Sequence, residues 1–205
     1  MSRPNVGMLF PIWAPVTQYN PGSNIQYGDA LLIEEAISAT VNITRGDNPL
    51  YGDDVIVDDD NGIQAITIDF NPTGLKSFER AALLGEEVNT TEDTYEGTDA
   101  ASPYGGFGYI RKMSDSEKKF EAWFYRRIKF GITTEETRTK EGAIQWRTPT
   151  INGRCAGSEI DGTGKTRWYI RKDFEKASDA KAFLISLVGS SPSNKTASYT
   201  PTVTT

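Results

Sequence analysis

Gly164-Lys165-Thr166, inside the stretch EIDGTGKTRWYI (159–170), comes nearest of any residues in this chain to spelling a chemistry, the end of a phosphate-cradling loop. Such a loop needs another glycine five places before the second one. It also needs an apolar strand leading in and a helix leading out, whose first amides face the phosphates. The first glycine position is Glu159, a carboxylate where a polyphosphate would have to sit. The lead-in, Cys155-Ala156-Gly157-Ser158, is not an apolar strand, and Arg167-Trp168-Tyr169-Ile170 has the aromatic and β-branched character of a strand rather than a helix. Asp161-Gly162-Thr163-Gly164 therefore reads as a turn, with glycines free to take positive φ and join two strands.

Other catalytic arrangements lose their parts to composition. The 205 residues include no histidine, which removes the commonest general base, the commonest metal ligand and every Ser-His or Cys-His nucleophile. The single cysteine, Cys155, has no disulfide partner and no companions for a zinc site, so it reads as a small apolar filler. Carboxylates crowd GEEVNTTEDTYEGTD (85–99), but nothing sets two of them across an apolar pocket as glycoside hydrolysis requires. The reading is of a protein that is not an enzyme and needs no cofactor. A net charge of -6 disfavours a dedicated nucleic-acid binder, which wants a basic face. The opening MSRPNVGMLFPIWAPV breaks its short apolar run with prolines and offers no cleavage pattern, and no segment has the ~20 apolar residues of a membrane span. Synthesis in a reducing cytoplasm is expected, with the Asn-x-Thr triplets at Asn42, Asn89 and Asn194 carrying no modification.

The acidic stretch between residues 45 and 62 holds Asp47, Asp53, Asp54, Asp58, Asp59 and Asp60 against Arg45 alone. Placing Gly62 at the sixth position of an EF-hand loop puts Val57 first and Ile68 twelfth, and neither side chain supplies an oxygen, so that calcium pattern fails. A looser cation site, a solvated acidic loop and a segment that touches another subunit or faces an anionic passenger all stay open. Trp13, Trp123, Trp146 and Trp168 would suit a sugar- or peptide-binding face, although aromatics in a β protein are more often core and interface anchors.

The elements that must position these residues are mostly strands. ISATVNIT (37–44) alternates Ile37, Ala39, Val41 and Ile43 with Ser38, Thr40, Asn42 and Thr44, and AITIDF (65–70) alternates Ile66, Ile68 and Phe70 with Ala65, Thr67 and Asp69. The segment between them is far longer than a hairpin turn and reads as an extended excursion between paired strands. A helix is predicted over NPTGLKSFERAALLG, with Thr73 as cap, Leu75, Phe78, Ala82 and Leu83 as its stripe and Gly85 as its stop. PYGGFGYIRKM (103–113) reads as a closely approached strand because of its glycines. KKFEAWFYRRIKF (118–130) follows, with Phe120, Ala122, Phe124, Ile128 and Phe130 inward, Arg126 out of pattern, and Trp123 and Tyr125 on the opposite face. Those two aromatics need cover from a second layer or another chain. Further strands are predicted in AIQWRTPTINGRC and TRWYIRKDF, and a short helix in SDAKAFLISLVG, capped near Ser178. The fold class is mainly β: an antiparallel β-sandwich or part-barrel with one packed α-helix and a second short C-terminal helix. Residues 1–189 form a single domain with the long loop 45–62, and 190–205, rich in Ser, Thr and Pro, form a tail.

The order of these pieces resembles the phi13-type major tail proteins of long-tailed, siphovirus-like bacteriophages. VGMLFPIWAPV, ALLIEEAISATVNI running into LYGDDVIVDDDNG, GIQAITIDF leading into GLKSFERAALLGEE, YGGFGYIRKMSDSEKKFEAWFYRRIKF and TEETRTKEGAIQWRTPTINGRC carry the resemblance over residues 5 to 157. It implies a structural virion protein whose subunits form hexameric rings stacked into a tail tube, present in the phage tail and, during assembly, in the host cytoplasm. Its partners would be itself, the tape measure, tail terminator and distal tail proteins, and DNA passing without specific binding, with no membrane. Under that reading Ser38, Thr40, Asn42, Thr44, Thr67 and Asp69 face the lumen. The faces of 37–44 and 65–69 carry no basic residue to stall a phosphate backbone. Contacts between rings or subunits fall to Asp47, Leu50, Tyr51, Asp53, Asp54, Val55, Ile56, Val57, Asp58, Asp59 and Asp60, and to Trp123 and Tyr125. The aspartates have Arg126, Arg127 and Lys129 as conceivable mates. The alternative is a β-sandwich module that binds a glycan or protein ligand through surface aromatics.

Overall fold

Alternating polarity makes strands, and the places where the alternation breaks decide how these strands curl. The computed structural model describes residues 5–33, 35–46, 49–52, 55–59, 62–89, 91–99, 101–114, 119–134 and 148–192, with the backbone alone for 5, 49–52, 55–59 and 132–134. The elements are β1 (Asn5–Gln18), β2 (Gln26–Tyr27), β3 (Leu31–Leu32), β4 (Ala36–Arg45), β5 (Pro49–Gly52), β6 (Val55–Asp59), β7 (Ile63–Pro72), α1 (Ser77–Leu84), β8 (Glu87–Asn89), β9 (Thr94–Glu96), β10 (Gly105–Met113), β11 (Phe120–Thr134), β12 (Thr150–Cys155), β13 (Tyr169–Phe174) and α2 (Ala177–Val188).

One antiparallel sheet runs in the order β2-β1-β10-β11-β12-β7-β4, with β3 beside β1 and β13 beside β11. Its inner face wraps around a core of Trp13, Ile66, Ile68, Phe70, Phe107, Tyr109, Trp123, Tyr125, Ile128, Phe130, Ile151 and Cys155, into which α1 inserts Phe78, Ala82 and Leu83. A second core lies on the other face of β1, β10 and β11, where Ala180, Leu184 and Val188 of α2 meet Ile12, Ala14, Ile110, Ala122 and Phe124. The protein is mainly β, a part-barrel with one helix packed in it and a short helix outside. β4 and β1 approach each other without pairing, so the barrel stays open between them.

Bulges set which residues face which core, because one extra residue moves every following side chain to the other face. Along β11, Tyr125 opposes Phe107 and Ile128 opposes Gly105, three steps against two. The extra residue falls at Arg126–Arg127, so Trp123 and Tyr125 before it share the inner core with Ile128 and Phe130 after it. The same strand changes partner there, pairing β13 from Phe120 to Tyr125 and β12 from Ile128 to Thr134. β1 bulges between Leu9 and Ile12, with Phe10 at φ 54°, and β4 bulges between Ala36 and Ser38. That last bulge turns Ile37, expected inward, out to 55% exposure.

The N-cap of α1 lies about a turn later than expected. α1 starts at Ser77, where Glu79 Oε2 accepts from the Lys76 amide at 2.9 Å. Thr73 instead donates through its amide and hydroxyl to Glu35, at 2.8 and 3.0 Å. Gly85 does end the helix, in the left-handed region at φ 77°. α2 begins at Ala177, and Ser178 bonds to Asp179.

Glycines in β10 serve the close approach that the sequence suggests. A Cβ on Gly105 would fall within 2.7 Å of three atoms of the Trp13 indole, and one on Gly106 would meet the rings of Phe124 and Tyr27.

Candidate functional site

The broad feature formed by the sequence-predicted residues is the outer face of β4, β7, β12 and β11. Strand register assembles it in rows. Thr40 stands beside Asp69, Asp69 beside Asn152, and Asn152 beside Gly131; one turn of the pleat away the row is Asn42, Thr67, Arg154 and Lys129. Ser38 pairs with Asn71 and Thr44 with Ala65. The structure thus brings Ser38, Thr40, Asn42, Thr44, Thr67 and Asp69 onto one face, because Ala39 and Val41 on β4 and Ile66, Ile68 and Phe70 on β7 turn to the core. Side-chain bonds knit it: Asn152 Nδ2 donates to Asp69 Oδ1 at 2.5 Å, and Asn71 Nδ2 to Ser38 Oγ at 3.1 Å.

The face does not stop at two strands, and its far half is basic. Arg154 and Lys129 are directly opposite, and Arg127, two residues from Lys129, lies over the same Tyr104 ring as Lys129. Its guanidinium sits between the rings of Tyr19 and Tyr104, at 4.1 and 4.4 Å, and Lys129 Nζ lies 4.5 Å from the Tyr104 centroid. An uncharged channel wall is therefore limited to β4 and β7. Sequence reasoning missed Asn152, Arg154 and the tyrosine clamp, although the alternation of TINGRC held the signal for the first two.

Trp123 and Tyr125 need correction as contacts to another chain. They are 8% and 0% exposed and enclosed by their own subunit, Trp123 stacking on Tyr125 and meeting Tyr169 at a tilt. Arg111 and Arg171 lie over the Trp123 ring at 4.8 and 5.5 Å. Arg171 also donates to Glu121, a buried carboxylate, at 3.0 Å. Burial drives the Tyr125 phenol well above its usual range. Trp13 is likewise fully buried and Trp168 half-buried against the core, while Trp146 lies outside the described residues.

The acidic excursion leaves the β4–β7 ladder at Arg45 and Ile63, closed by a bond from the Gly46 amide to the Gly62 carbonyl at 2.8 Å. Its backbone is a hairpin of its own, β5 against β6, with Pro49 opposite Asp59 and Tyr51 opposite Ile56. Asp47, Asp53, Asp54 and Asp60 lie outside the described residues, as do the side chains of Leu50, Tyr51, Val55, Ile56, Val57, Asp58 and Asp59.

The Gly-Lys-Thr stretch is a turn. Gly162 and Gly164 take φ of 66° and 73°, Ser158 and Arg167 bond to each other across its base, and a strand, β13, follows where a phosphate loop has its helix. Glu159 Oε1 accepts from the Gly164 amide at 2.9 Å, so a carboxylate of the chain occupies the place a phosphate oxygen would take. Asp161 accepts from the Thr163 hydroxyl and the Arg167 guanidinium, both at 2.6 Å. Those bonds hold its carboxyl down at about 2. Cys155 is buried, and burial pushes its thiol up to about 12. No group of His, Cys, Asp and Glu that could hold a metal occurs among the described residues, and no described helix is long and apolar enough to cross a membrane.

An apolar groove of about 600 Å³ lies between β1, the segment from β3 to the start of β4, and α2, lined by Met8, Leu9, Phe10, Leu32 and Ala36 together with Glu35 and Lys181. Val6 and Leu9 of β1 and Ile37 and Ile43 of β4 stand exposed.

No protein-family model matches the chain, and no curated protein matches it.

Proposed function

We propose that this chain is a structural subunit that joins copies of itself edge to edge, and that the assembly is the tail tube of a long-tailed bacteriophage: stacked hexameric rings conducting DNA along their bore. One observation carries the reading. β4, ten residues long, stands at the end of the sheet with β7 as its one strand partner among the described residues. It contains neither proline nor lysine, and Ile37 and Ile43 are 55% and 39% exposed. Soluble β proteins protect such an edge with short strands, lysines, prolines or cover. Pairing with another copy would satisfy its backbone and cover these side chains together with Val6 and Leu9 nearby.

The polar face of β4 and β7 supports the bore. It carries no base, and its one acid, Asp69, is held by Asn152. Ser38, Thr40, Asn42, Thr44, Thr67 and Asp69 are assigned to it, with the tape measure, tail terminator and distal tail proteins as the further partners. A binding module that grips its ligand with surface tryptophans has less support, since Trp13 and Trp123 are enclosed.

Negative-stain microscopy and sedimentation of the purified protein test the reading. Rings or tubes should appear as concentration rises; a chain that stays monomeric at every concentration would refute it. Lysines placed together at Thr40, Asn42 and Thr67 should allow tubes but slow DNA ejection, and unchanged infectivity of particles carrying them would remove the bore assignment.

A further inference from the structure

Lys129 and Arg154 face each other on adjacent strands, an arrangement that costs stability unless an anion answers it. None does within the described residues. Lys129, Arg154 and the neighbouring Arg127 form no ion pair there; Asp69, the one carboxylate on the face, is bonded by Asn152, and beyond the strip Asp161 is bonded by Arg167 and Glu159 by the Gly164 amide. The strip is also pre-shaped. Arg127 is fixed between Tyr19 and Tyr104, and Lys129 rests on Tyr104, so part of the ordering cost of binding is met on folding.

The chain carries the complement itself. Residues 46–62 contain six aspartates and no Lys or Arg, and Asp58 and Asp59 fall on β6 of the hairpin rooted at Gly46 and Gly62. From these two facts we infer that the Arg127–Lys129–Arg154 strip docks the acidic hairpin of a second copy of this chain. The inference rests on the self-assembly reading and deepens it. It also resolves a difficulty of the channel: a cationic strip beside the bore would hold DNA phosphates, and aspartates laid over it cancel that attraction. Phosphate is the competing occupant. The hairpin is favoured because a net charge of -6 works against holding a polyanion.

Charge exchange tests the pairing. Arg127 is left intact because its tyrosine clamp is structural. Lys129→Glu with Arg154→Glu makes the strip acidic, and Asp58→Lys with Asp59→Lys makes the hairpin basic. Both pairs are checked for folding by thermal melting, and Lys129→Gln with Arg154→Gln stands in if the first pair fails to fold. Each pair alone should raise the protein concentration needed for assembly about tenfold or more at low salt, and an equimolar mixture of the two should restore the wild-type value. Wild-type assembly with the strip variant assembling equally well would overturn the docking and leave the tube reading standing. Loss of double-stranded DNA retention in that variant, with assembly unchanged, would give the strip to nucleic acid instead. A wild-type chain that never assembles would overturn both.

Discussion

Replacing Gly105 with alanine probes how β1 and β10 are seated against each other. Built on this backbone, the new Cβ would lie 2.2 Å from Trp13 Nε1, 2.3 Å from Cε2 and 2.7 Å from Cζ2. Ordinary contacts begin near ~3.5 Å, so the indole would have to move by about 1.3 Å. Trp13 is fully buried in the inner core and its ring is rigid. The other escape is to part the two strands where Pro15 opposes Gly105. Overpacking of this kind costs ~1–3 kcal/mol, and a rigid buried ring belongs at the upper end. Alanine also restricts the unfolded chain, which returns about 0.4–1 kcal/mol. The net loss is ~2 kcal/mol, about 4–8 °C in Tm for a protein of this size. Thermal melting followed by circular dichroism reads it, with Gly131→Ala as control because its Cβ would meet nothing within 4 Å. Trp13→Phe leaves room at the clash. The double variant should therefore be more stable than the two single losses predict by about 1 kcal/mol. If Gly105→Ala melts no lower than the control, the indole does not lie across β10 and the reasoning fails.

Trp123→Ala should cost ~3–5 kcal/mol in the isolated subunit, since the ring belongs to the subunit's own core; a variant that melts normally and is deficient only in association would return Trp123 to an interface. With its thiol pushed up to about 12, Cys155 should alkylate at pH 8 roughly a thousandfold more slowly in the native protein than after unfolding, as mass spectrometry of quenched samples would show. Asp161, whose folded pKa is lowered to about 2, contributes fully above the ordinary carboxylate range near pH ~4, and that contribution is lost as pH falls towards 2. Its carboxyl carbon shift should therefore move near pH 2 by NMR, and a midpoint near 4 would mean that the turn bonds are not formed. Lys165→Ala should leave melting and assembly unchanged, and ATP binding at micromolar levels that this variant abolishes would contradict the turn.

Much of this protein was legible in local pattern. The period-two runs at 37–44 and 65–70 gave strands that do pair, and the mismatch of Glu159 and RWYI with a phosphate loop foretold a turn. Glycines in PYGGFG announced a close approach, and Gly85 a helix end, because each reflects a backbone requirement satisfied within a few residues. Arg126 out of pattern was a true signal misread. It marks a bulge, and only pairing counted against β10 reveals that the two halves of β11 present opposite parities to one core. For that reason the pattern puts Trp123 and Tyr125 on the face opposite Ile128 and Phe130, where they need cover. The tertiary structure alone decided the width of the polar face and its charge. Thr67, Arg154 and Lys129 are far apart in sequence and meet through register, a property of hydrogen bonds between strands that no single strand's pattern contains.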